Sequence, residues 1–72
     1  MPKMQKRFVE ILRRVEQQEA AGKPLMRQQL TNERYFIDRG LLRLNWGKNG
    51  TPDANRLVWY LTDLGRKEAR DE

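Results

Sequence analysis

The chain has no cysteine, no histidine and no serine. Without cysteine there is no disulfide framework and no thiolate chemistry. Without histidine it lacks the commonest metal ligand, and the one side chain whose ordinary pKa lies near neutrality. A zinc site would have to be built from carboxylates alone, against that metal's preference for nitrogen and sulfur. With serine gone too, the usual nucleophile–base constellations have no members. No glycine-rich phosphate cradle is present. The carboxylates are scattered among Arg and Lys, as surface charge is. We therefore expect no enzyme, no metal site and no cofactor. No apolar run approaches the ~20 residues of a membrane span, and the basic N-terminus has no continuous apolar segment of the signal-peptide kind. The expectation is a cytoplasmic protein with no membrane partner.

What is there fits one small domain spanning residues 1–72. Such a domain has a modest core, because small domains bury a smaller share of their surface. It gains stability by binding a partner, and a second copy of the chain is one candidate. Hydrophobic residues make up 38% and charged residues 35%, with a net charge of +5. A basic balance of this kind favours polyanions or acidic protein faces.

The hydrophobic pattern gives the elements. Met4, Phe8, Ile11, Leu12 and Val15 recur at three- and four-residue steps, which predicts an amphipathic helix over 3–21. Gly22 is its stop signal, and Pro24 begins the next element. Residues 25–40 read either as one helix or as two, near 25–30 and 33–39, capped anew at Thr31 or Asn32 and stopped by Gly40. We favour two. Met26, Leu30, Ile37 and Leu41 could lie along one helical face, with Phe36 beside them, a spacing that the single helix would satisfy. Residues 41–46 and 56–61 alternate in the manner of strands, with Leu42, Leu44, Trp46, Leu57, Trp59 and Leu61 inward. The Gly-, Pro-, Asn- and Asp-rich stretch between them predicts a β-hairpin with a long, flexible, outward tip. Thr62 caps a last short helix, with Asp63 placed well for its dipole. The resulting fold is mainly α with a β-hairpin, in the order α-α-α-β-β-α of a winged helix.

Two segments strengthen that reading. "YFIDRGLLRL" (35–44) resembles the junction between recognition helix and first wing strand in winged-helix regulators. "YLTDLGRKEA" (60–69) resembles the Leu-Thr-x-x-Gly-Arg segment after the second wing strand of MarR- and PadR-type regulators. Together they cover roughly residues 33–69. "RYFIDRGLL" is also similar to the second helix of MerR-type and excisionase modules. Only about 17 residues separate Pro24 from Leu41, so the middle helix departs from those families by being very short or fused to the next.

The resemblance implies a sequence-specific regulator of transcription that binds double-stranded DNA through a helix-turn-helix and a wing, such as a repressor. The small size suggests a phage or plasmid origin. Thr31, Asn32, Arg34, Tyr35 and Asp38 would occupy the outer side of the recognition helix, with Arg34 suited to guanine and Asn32 to adenine or a phosphate. Arg27 and Gln28 would hold the flanking backbone, while Lys48, Asn49 and Arg56 of the wing would hold phosphates. The plainer alternatives are a solvated helix face, an Arg34–Asp38 pair one turn apart, a core position for Tyr35 and a charged tip that merely prevents edge aggregation. Trp46 and Trp59 are expected as core anchors. Arg13 and Arg14 are expected on an exposed face. A rival reading is a winged-helix interaction module that binds an acidic face of a host protein such as RNA polymerase. RNA binding through the same basic surface is a weaker third.

Overall fold

The computed structural model describes residues 5–70. Helix α1 (Lys6–Ala20) leads to a single 3-10 turn (Arg27–Gln29), then helix α2 (Glu33–Asp38). Strands β1 (Leu42–Trp46) and β2 (Leu57–Leu61) follow, and helix α3 (Asp63–Arg70) comes last. The described residues thus form three helices and one antiparallel hairpin, mainly α as expected. The predicted start of the first helix and its Met4 lie outside the described residues.

Helix α1 buries Phe8, Leu12 and Val15, the stripe its sequence spacing predicts. Both α1 and α2 stop by the same glycine device. Gly22 (φ 78°) and Gly40 (φ 68°) adopt the left-handed conformation that a side chain disfavours. The amides of Gly22 and Lys23 bond back to the carbonyls of Glu19 and Gln18, and those of Gly40 and Leu41 to Ile37 and Phe36.

Residues 25–40 do split into two pieces, but the first is not the expected helix. Only Arg27–Gln29 coil, in one 3-10 turn. Leu25 and Met26 are extended. They pair with the outer edge of β2: Met26 bridges Val58, and the Trp59 amide donates to the Leu25 carbonyl at 2.9 Å. β2 therefore has a neighbour on each side. At the start of α2, Asn32 holds the cap position without a side-chain hydrogen bond. The helix also turns a different face inward: Phe36 is fully buried, while Ile37, on the apolar face that the spacing outlines, is 47% exposed. A six-residue helix makes under two turns, so one inward residue and its flank fill the available contact.

The hairpin register pairs Leu42 with Leu61, Leu44 with Trp59 and Trp46 with Leu57. Leu42, Trp59 and Leu61 are buried as predicted. Trp46 is not: it shares their face, yet is 60% exposed, because the core ends before the hairpin does. The other face of β2 also departs from the alternation, since Val58 and Tyr60 are buried. Residues 47–56 cover part of it. They form a string of turns, closed by Gly47 N–H to the Arg56 carbonyl (3.0 Å). Lys48 and Thr51 come up against Glu19, Gly22, Pro24 and Tyr60 around a cleft of about 50 Å³. Gly47 is buried in this knot, where a Cβ would come within 2.1 Å of the Asp53 carbonyl oxygen.

The Leu-Thr-x-x-Gly-Arg segment has a structural job at every polar position. The Thr62 hydroxyl accepts from the Gly65 amide at 2.9 Å, capping α3 as predicted, and reaches the Gly40 and Leu41 carbonyls. Gly65 packs so closely on the Leu41 carbonyl that a Cβ would stand 2.0 Å from its oxygen. Arg66 bonds Glu19 at 3.1 Å and lies 3.7 Å from Glu16. Arg13, expected on an open face of α1, instead donates to the Ala69 carbonyl at 2.8 Å.

Candidate nucleic-acid interface

The residues singled out from the sequence fall on two neighbouring segments: the stretch 27–38 and the hairpin tip. Their junction is Met26. The bridge to Val58 holds Met26 against β2. From there the chain turns into Arg27, whose carbonyl accepts the indole N–H of Trp59 at 3.3 Å. From the hairpin side, the Arg56 guanidinium reaches the Met26 thioether at 3.5 Å. Arg56 is thus brought to the side chain that precedes Arg27, from 29 residues further along the chain. Gln28, exposed on the 3-10 turn, extends its amide toward the same sulfur at 3.9 Å.

Thr31, Asn32 and Arg34 are exposed. The Arg34 side chain is 93% accessible and stands 3.7 Å from Asp38, the intrahelical pair anticipated for these residues. Arg27 lies 3.8 Å from Glu33. Each of these cations therefore has an acid beside it, in settings where solvent screening leaves the pair weak. Tyr35 is not on the open face. It is half-buried, stacked on Phe8 with ring centroids 4.1 Å apart, and its far side carries Arg39 at 3.8 Å. Arg39 also donates to the Tyr35 carbonyl at 3.4 Å.

On the tip, Lys48 and Asn49 are exposed. The Lys48 carbonyl accepts from the Thr51 hydroxyl at 2.7 Å, which fixes the backbone and leaves the ammonium group outside. Arg56 has Asp53 3.9 Å away. On the face of the hairpin that carries Tyr60, Arg43 is exposed and stands 5.2 Å over that ring. A further basic surface on α3, formed by Arg66, Lys67 and Arg70 around Asp63, borders an open groove of about 520 Å³. Arg66 and Arg70 there are turned to Glu16 and Glu19 of α1, so most of that charge is used within the fold.

The sequence reading leaves out the exposed cations Arg39 and Arg43, and it places Trp46 in the core where the structure exposes it. The alternation in 41–46 already placed Arg43 away from the core. Nothing local distinguishes Trp46 from Trp59, because both obey the same two-residue period. Among the described residues, no group of acidic side chains has the arrangement of a metal site, and no helix is long and apolar enough to cross a membrane. No family model, no curated protein and no solved structure matches this chain.

Proposed function

We propose that this protein is a small DNA-binding regulator of winged-helix type, in which α2 faces the major groove and the hairpin tip holds the backbone beside it. The observation that carries this reading is the contact of the Arg56 guanidinium with the Met26 thioether, which brings the end of the wing beside the turn that leads into α2. Arg34 is the outermost cation of the helix, and Lys48 the outermost cation of the wing without an acid partner among the described residues. Duplex DNA would compete with Asp38 and Glu33 for Arg34 and Arg27, replacing weak exposed pairs with phosphate or base contacts.

The test is fluorescence anisotropy with random and genomic duplexes over a salt series. A regulator's affinity falls with a log–log slope of about 0.9 per phosphate neutralised, and one sequence is preferred. Arg34→Ala is expected to erase discrimination at one base position. Lys48→Ala should weaken all sequences alike and lower the salt slope by about one. Absence of duplex binding at low salt would overturn the reading.

A second reading is a module that docks on an acidic protein face. It is favoured by the acids beside Arg27 and Arg34 and by the exposure of Ile37 and Leu64 (47% and 46%). Under it, Ile37→Ser weakens a complex that Arg34→Ala leaves intact.

A further inference from the structure

The chain has six aromatic residues, and five of their rings are engaged. Phe8, Tyr35 and Phe36 stack or meet edge to face. Tyr60 is buried beneath Arg43. Trp59 is fully buried, with its N–H bonded to the Arg27 carbonyl. Trp46 is the exception. It is 60% exposed, and among the described residues its ring has no stacking partner, no cation over its face and no acceptor for its N–H. Leaving so large an apolar side chain in water forgoes burial that the other five rings obtain.

The backbone beneath this ring is fixed all round. The Trp46 amide donates to the Asn45 side chain at 2.8 Å. Its carbonyl accepts the Tyr60 hydroxyl at 3.0 Å. Leu57 lies opposite in register, and the Gly47–Arg56 bond closes the hairpin immediately beyond. An exposed indole on so well-held a base has little backbone entropy left to lose on binding, so only its side-chain rotamers remain to be ordered. Its surroundings indicate what it meets. The hairpin, residues 42–61, carries Arg43, Lys48 and Arg56 against the single acid Asp53, and that acid is beside Arg56. Arg43 lies on the other face and Arg56 has its acid, but Lys48, two residues on, has no acid partner among the described residues; a flat apolar ring beside this net-positive tip is matched by a polyanion with stackable faces.

We infer that Trp46 is a base-contacting wedge of the wing, inserted against the base steps of duplex DNA while Lys48 and Arg56 hold the flanking phosphates. This rests on the DNA-binding reading and adds to it: the hairpin, and not only α2, touches bases. Apolar side chains inserted between steps unstack and bend a duplex, and the lost stacking is repaid by the ring's own contact.

The two tryptophans supply the measurement. Trp59 is sealed from solvent and Trp46 is open, so acrylamide quenching reads Trp46 almost alone. The intact protein is titrated with duplex DNA, with anisotropy of labelled DNA followed in parallel. The expected result is a fall in Trp46 emission and loss of the acrylamide-accessible fraction as the duplex binds. Trp46→Phe should keep affinity within about threefold. Trp46→Gln, polar and without a ring, should lose about tenfold or more. Circular dichroism verifies that both variants are folded.

Duplex binding with Trp46 still fully quenchable overturns the wedge and leaves the DNA-binding reading standing. Equal losses for the Phe and Gln variants also overturn it, as does tighter binding of single strands than of duplex. No duplex binding at low salt overturns both.

Discussion

The two ends of the hairpin are made from the same alternation and meet opposite fates. At the base, Leu42 and Leu61 are sealed between helices, and Thr62, Gly65 and Arg66 fasten the strands to Gly40, Leu41 and α1. At the far end, Trp46 and Leu57 pair where the core has ended, and the chain closes on itself through turns. One end is shaped by what it packs against. The other is shaped by its own backbone bonds, which leaves its side chains available. Periodicity selects a face; the extent of the core decides whether that face is an interior.

Substitution of the two tryptophans tests this most severely. Trp59→Ala empties the core and is expected to cost about 3–5 kcal/mol, most of the stability of a domain this size. Trp46→Ala should move the urea midpoint by no more than about 0.5 kcal/mol equivalent. Comparable losses would mean that the far end is as much interior as the base. Next in size are the two crowded glycines. Gly65→Ala drives a methyl group into the Leu41 carbonyl and should cost about 1–3 kcal/mol globally. Gly47→Ala meets Asp53 just as closely, but its effect should appear as faster amide exchange confined to residues 47–56. A global loss from Gly47→Ala would tie the tip to the core. Thr62→Val removes the α3 cap while keeping the shape, with an expected cost of about 1 kcal/mol by thermal unfolding that Thr62→Ser recovers. The smallest effect is predicted for Arg66→Ala. Its pairs with Glu16 and Glu19 are partly exposed, so a change below about 1 kcal/mol is expected, shrinking further in high salt.

Much of the scaffold was legible in the sequence because its signals are local. The α1 stripe, the glycine stops at 22 and 40, the two alternating runs and the Thr62 cap each depend on residues within one or two turns of each other. What the sequence concealed is nonlocal. Leu25 and Met26 carry no strand signature, and their extended form follows from an open edge of β2 more than 30 residues away. Phe36 rather than Ile37 points inward because a helix this short has its rotation set by its neighbours, here Phe8 of α1. The composition of the tip favours turns without saying how many succeed one another. For the candidate site, the basic residues were evident but their acids were less so. Arg34–Asp38 follows from spacing, whereas Arg27–Glu33 requires the bend between 29 and 33.

The antiparallel seam between α1 and α3 has a dynamic consequence. Arg13 meets Ala69 across 56 residues, and Arg66 meets Glu19 across 47. An isolated eight-residue helix is marginal in water, so α3 owes its existence to the first helix. Its amides are then expected to exchange with solvent only when the entire domain opens, at rates matching those of α1, and not by independent melting from the chain end. Because contacts so distant along the chain form at high loop-closure cost, that seam would also be among the last features to assemble on refolding.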